Sequence, residues 1–125
     1  MTRASRKYDV ELTEAAERDL REIVRWTAGR FGREQARTYL AILRRTFRVL
    51  ATGPAVPGAR ARADLGDQLY TLHAARGGPR ARHLIVFRVT PREGDGLVEV
   101  LRILHDAMDL ARHLSPEASD EEETT

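Results

Sequence analysis

The chain has 125 residues, 42% of them apolar, which is enough for one compact domain with a real core and too few for two. It contains no cysteine, so disulfides, cysteine-ligated zinc and thiol nucleophiles are excluded, and a reducing cytoplasm is the expected compartment. The formal charge of +2 conceals an asymmetry: the last nine residues, EASDEEETT, hold five of the 19 acids and no base, so the rest has 21 bases against 14 acids, a net of +7.

The basic start MTRASRK runs into YDVEL without the apolar stretch of a signal peptide, and no segment approaches the roughly 20 apolar residues of a membrane span. A soluble protein is expected. Lys7 is the sole lysine, so the basic character is arginine, the better planar partner for carboxylates and phosphates. Such a body suits an acidic protein or a nucleic acid, without choosing between them.

In chain order, KYDVEL (7–12) alternates Tyr8, Val10 and Leu12 with charged residues, the period of a strand with one buried face that pairs with a later strand. Thr13 then offers a helix N-cap, Glu14 and Glu17 sit where the helix dipole favours acids, and Ala16, Leu20, Ile23, Val24, Thr27 and Phe31 form a helical stripe ending near Gly29 or Gly32. Trp26 falls on the shoulder of that stripe and is predicted to be half-buried. A second helix runs from about Arg33 to Ala51, with Ala36, Tyr39, Leu40, Leu43, Phe47 and Leu50 on one face and Arg37, Arg44, Arg45 and Arg48 mostly off it. Gly53 and Pro54 stop it, and the short RFGRE connection makes the two helices an antiparallel hairpin.

Residues 53–68 carry turn residues and no sustained period, the mark of a loop or single helical turn that includes Arg60 and Arg62. QLYTLHA (68–74), RHLIVFRV (82–89) and LVEVLRIL (97–104) then read as three strands of an antiparallel meander, with the continuously apolar HLIVF segment in the centre. The predicted fold is α+β: a strand, a helical hairpin and three antiparallel strands (β-α-α-β-β-β), with the helices on one sheet face. Residues 1–114 form the domain; residues 115–125 are an acidic tail with nothing apolar to bury, expected to be disordered and to add little to folding.

No glycine-rich phosphate loop, HExxH or GxSxG motif occurs, and His73, His83, His105 and His113 are scattered over different elements, so neither a metal nor a cofactor is expected. Arg60, Arg62, Arg76 and Arg80, with Arg82, make either a target- or phosphate-binding rim or ordinary solvated loop charge. Arg102 and His105, in VEVLRILHDAMD, pose the question of catalysis. Strict alternation sets Arg102 on the face of Val98, Val100 and Leu104 and His105 on that of Leu101 and Ile103, so the two reach one phosphate only across a bulge or a strand end. The alternative is structural: Arg102 pairing with a carboxylate such as Asp9 or Glu11 on a neighbouring strand.

The order of these elements and their phrasing resemble the ParE branch of the RelE/ParE toxin superfamily. ELTEAAERDLREIVRWTAGRFGREQARTYLAIL is similar to the family's opening strand and helical hairpin, and HLIVFRV followed by VEVLRILHDAMDLARHL to its last two strands and closing phrase; together they cover most of residues 8–114. The resemblance implies a toxin of a type II toxin–antitoxin module, growth-inhibiting, held in a hetero-oligomer by a small ParD-like antitoxin that wraps it and meeting DNA only through that antitoxin. ParE-like members inhibit DNA gyrase, whereas RelE-like members cut messenger RNA on the ribosome with lysines, arginines and a terminal tyrosine or histidine. If this chain were such a nuclease its candidates are Arg82, Arg102 and His105, but no tyrosine follows the last strand, which points to the gyrase branch and to an inhibitory binding protein rather than an enzyme; a third alternative is a non-toxic family member that only binds an antitoxin-like partner. HAARGGPRAR is longer than the family's usual turn, and Gln68 stands where an arginine often begins the strand. Trp26, Ile42 and Val49, apolar residues beyond the two main stripes, are the expected antitoxin contacts.

Overall fold

In the computed structural model, which describes residues 8–74, 83–91 and 96–105, the strand period of the first segment gives β1 (Tyr8–Leu12). Helices α1 (Glu14–Phe31) and α2 (Arg33–Val49) follow, and Leu50–Thr52 add a 3₁₀ turn. The sheet continues with β2 (Arg60–Ala61), β3 (Leu69–His73), β4 (His83–Thr90) and β5 (Gly96–His105). The five strands lie in the order β1-β5-β4-β3-β2, with β1 parallel to β5 and the other pairs antiparallel. The meander is therefore present with HLIVF at its centre. The segment expected to be a loop also contributes β2, whose two residues pair with Thr71 and Tyr70 on the far edge.

Local chemistry sets the joints. Thr13 is the N-cap of α1: its hydroxyl accepts from the Ala16 amide at 3.1 Å and donates to the Leu101 carbonyl at 2.9 Å, while its own amide reaches the Val100 carbonyl at 3.0 Å. One residue thus ends β1, starts α1 and ties both to β5. Gly32, at φ 98°, is the tight joint of the helical hairpin. Gly53, at φ 90°, closes the 3₁₀ turn directly against the Tyr8 ring, where a Cβ would collide with that ring.

The core fills the space between the hairpin and one sheet face. Leu43 and Leu50 from the helical side meet Leu72, Ile85, Phe87, Val98 and Val100, all essentially without solvent contact. Each such side chain contributes about 1.5–3 kcal/mol by leaving water. Strand β4 is buried on both faces, with Ile85, Phe87 and Val89 in this core and Val86 behind them, which explains its uninterrupted apolar run.

Two burial expectations are corrected. Trp26 and Phe31 are each 58% exposed. Trp26 lies about 90° around the helix from the centre of the buried stripe of Ala16, Ile23 and Thr27, too far to reach the sheet. Phe31 has the right angle but is the last residue of α1, where the chain already turns through Gly32.

The alternation assumed for the last strand is also overturned. Val86 pairs with Arg102 and Phe87 with Val100, so Leu101 is an extra residue, a β-bulge. Val98, Val100 and Ile103 consequently all join the core, and Leu104 pairs with Leu84 on the opposite face rather than following Val98 and Val100.

Candidate functional site

The bulge decides what Arg102 does. Beyond Leu12 the β1 strand has ended, so the outer edge of β5 needs other partners. Thr13 donates to two of its carbonyls, and the Asp19 carboxylate of α1 accepts from Arg102 Nε at 2.7 Å, from Arg102 Nη2 at 3.0 Å and from the Ile103 amide at 2.9 Å. This is a bidentate, largely desolvated pair, with side chains 29% and 12% exposed. The Asp19 carboxylate raises the Arg102 pKa, with burial acting against it. The partner is thus Asp19 on a helix, not Asp9 or Glu11 on a neighbouring strand. A guanidinium gripped on both its Nε and Nη2 sides by one carboxylate is a structural clamp joining α1 to the bulge.

His105 sits elsewhere. It is opposite His83 in the β4–β5 register, and the two rings meet edge to face with centroids 5.7 Å apart. His83 Nδ1 and the Tyr39 hydroxyl share a 2.7 Å hydrogen bond that brings in α2. The structure therefore separates Arg102 from His105 by partner: the arginine belongs to α1, the histidine to a Tyr39–His83–His105 cluster at the other side of the strand end. Among the described residues no group of three or more His, Cys, Asp or Glu side chains is arranged to hold a metal ion.

The remaining candidates do not converge. Arg60 is exposed on β2, and Arg62 is engaged by its neighbour Asp64 at 2.8 and 3.0 Å, which raises the arginine's pKa and lowers that of the carboxyl. Arg76, Arg80 and Arg82 lie outside the described residues. Of the apolar candidates, Trp26 stands out from α1 with Phe31 at 5.9 Å in an edge contact, and the Arg30 guanidinium covers both rings at 5.4 and 6.0 Å. Val49 is 36% exposed, whereas Ile42 gives part of its surface to the core. An open groove also runs between β1 and the end of α2, lined by Tyr8, Val10, Leu12, Phe47 and Arg48.

Asp19, Tyr39 and His83 escaped the sequence reading. For Asp19 a signal was present: it falls between Ala16 and Ile23 on the shoulder of the buried stripe, where a carboxylate needs a partner. His83 and Tyr39 become a pair only once the register of the sheet and the path of α2 are known.

Residues 10–110 match the family described as "ParE toxin of type II toxin-antitoxin system, parDE". Toxin ParE1 of Mycobacterium tuberculosis is 33% identical over 103 residues, covering 82% of this chain and 94% of the relative, and Toxin ParE of Escherichia coli is 36% identical over 104 residues, covering 83% and 90%. Among solved structures, one of the chromosomal ParDE system from P. aeruginosa superposes with a TM-score of 0.62 at 22% identity, over 81% of this chain and 98% of that one. A YoeB/ParE toxin from Agrobacterium tumefaciens gives 0.54 at 16%, over 78% and 96%. The chain belongs to the ParE toxin family of type II toxin–antitoxin systems.

Proposed function

We propose that this toxin acts by binding DNA gyrase and stalling replication, and that a cognate ParD-like antitoxin neutralises it by covering its exposed apolar surface. The observation that carries this reading is the Arg102–Asp19 clamp: of the two arginines named for a phosphodiester-cleaving site, Arg102 is already occupied by a carboxylate from the same chain. An arginine so held offers little stabilisation to a pentacovalent phosphate.

For the antitoxin, Trp26 with Phe31 supplies a large exposed aromatic anchor of the kind that dominates interfaces, and Val49 adds an aliphatic contact on α2. Ile42, half committed to the core, serves as its floor. No helix among the described residues is long and apolar enough to cross a membrane.

The reading is tested by cloning the neighbouring short reading frame, purifying its product and measuring two things with the full chain. Gyrase immobilised on a surface should capture the toxin, and the antitoxin should release it and restore growth of expressing cells. Absence of gyrase capture with intact growth arrest would point to another target.

A second reading, ribosome-dependent message cleavage, draws on the Tyr39–His83–His105 cluster, where two imidazoles lie close enough to share acid–base work. It requires cleavage that depends on His105 in a folded variant.

A further inference from the structure

The α2 helix carries a second surface that neither the core nor the apolar candidates use. Arg33, Arg37, Arg44 and Arg48 recur at intervals of four, seven and four residues, so they line one flank of α2, with Leu40 and Ala41 between them. All four are exposed, and the stripe rises about 22 Å along the helix. Arg37, Leu40, Ala41, Arg44 and Arg48 together line an open groove. Glu34, the sole acid of α2, sits three residues before Arg37 at the N-terminal edge of this flank, and among the described residues no carboxylate pairs with any of these arginines. A row of guanidinium groups without a carboxylate partner among the described residues, beside a shallow apolar floor, fits an extended polyanionic chain.

We propose that this flank is the docking surface for the chain's own acidic terminal segment, residues 117–125. Two observations select that occupant. The first is charge: Glu117, Asp120, Glu121, Glu122 and Glu123 come without one base, and they lie past residue 110, where the match to the family ends. The second is reach. Strand β5 ends at His105, whose ring meets His83, and His83 is bonded to Tyr39 of α2, so the chain leaves the sheet beside the first half of that helix. The 11 residues 106–116 extend up to about 35 Å, enough to pass around a helix about 10 Å across. Tethering at that distance holds the carboxylates at an effective concentration of about 1 mM, so a contact weak in free solution is well populated. The segment then acts as a built-in competitor for any acidic or polyanionic ligand of α2. The proposal does not depend on which target the toxin inhibits.

The test uses the full chain throughout. In one variant the tail is neutralised by Glu117→Gln, Asp120→Asn, Glu121→Gln, Glu122→Gln and Glu123→Gln; in a second the stripe is neutralised by Arg37→Gln, Arg44→Gln and Arg48→Gln; a third combines both. The first measurement is the NMR signals of the arginine Nε–Hε groups, and tail neutralisation should move those of Arg37, Arg44 and Arg48 while leaving exposed Arg18, Arg21 and Arg25 of α1 in place. The second is binding of a labelled 12-residue oligothymidylate at low salt. For a segment with an intrinsic dissociation constant near 0.1 mM, tail neutralisation should tighten binding about tenfold, and the gain should vanish in the stripe-neutralised background and at high salt. A gain that persists without the stripe arginines reflects general repulsion and overturns the proposal. So do shifts confined to α1, or no shifts at all, which would leave the stripe to an external peptide or nucleic acid.

Discussion

Replacing Asp19 by alanine removes, in one step, the acceptor of three hydrogen bonds: two from Arg102 and one from the Ile103 amide. The guanidinium is then left partly desolvated without its counter-charge, and an edge amide of β5 loses its partner. Hydrogen bonds to charged groups are worth about 1.5–3 kcal/mol each, and breaking a fully buried pair costs about 3–5 kcal/mol. Arg102 keeps 29% exposure, so water recovers part of that loss and the expected cost is about 2–3 kcal/mol. For a domain of this size that lowers the melting temperature by roughly 10–20 °C. The assay is urea unfolding of Asp19→Ala, Arg102→Ala and the double variant. Because the two residues share one interaction, the double variant should be more stable than the sum of the single losses implies, by about 1–2 kcal/mol. A cost below about 0.5 kcal/mol for Asp19→Ala, or strictly additive losses, would refute the clamp as the role of Arg102.

Gly53→Ala should destabilise by about 1–3 kcal/mol, because it combines φ 90° with a collision against the Tyr8 ring; thermal unfolding measures it, and an unchanged transition contradicts the tight closure. Trp26→Ala should leave stability within about 0.5 kcal/mol, since the side chain is 58% exposed, yet weaken antitoxin binding by on the order of 30-fold in calorimetry; unchanged affinity removes it from the interface. An NMR titration of Asp64 should show a midpoint below the ordinary carboxyl range that returns on Arg62→Ala. The sign follows from the lowered pKa: any stabilisation is present above the unfolded carboxyl pKa and is lost as pH falls through the folded one.

How much of this was legible in the sequence depends on how local each signal is. Thr13, Gly32 and Gly53 declare themselves because a cap or a left-handed joint is written in one or two residues. The stripes of α1 and α2 and the central place of HLIVF follow from period and from burial on both faces. The bulge at Leu101 does not: it is a mismatch between β4 and β5, visible only once Val86 pairs with Arg102 and Phe87 with Val100, and one inserted residue reassigns every side chain beyond it. Strict alternation matches Arg102 to β1 carboxylates, whereas the bulged register brings it to Asp19, and the contacts among Tyr39, His83 and His105 follow from that register as well. Helical angle sets Phe31 on the buried stripe of α1 and Trp26 on its shoulder, but it does not say how far the sheet extends beneath the helix. Trp26 is already an expected antitoxin contact from the sequence; the three-dimensional structure adds its 58% exposure and the equally exposed Phe31 beside it.

Inhibition of gyrase by binding, rather than cleavage of nucleic acid, is the proposed mode of action. The most direct measurement runs the purified toxin in parallel against gyrase with relaxed plasmid and against translating ribosomes with a labelled message, using the native chain and His105→Ala. His105 contacts His83 and stays outside the clamp, so its removal is expected to leave a folded protein, checked by its melting temperature. Both proteins are expected to block supercoiling to the same degree and leave the message intact. Message cleavage by the native chain that disappears in a folded His105→Ala variant, with supercoiling unaffected, would contradict that mode of action.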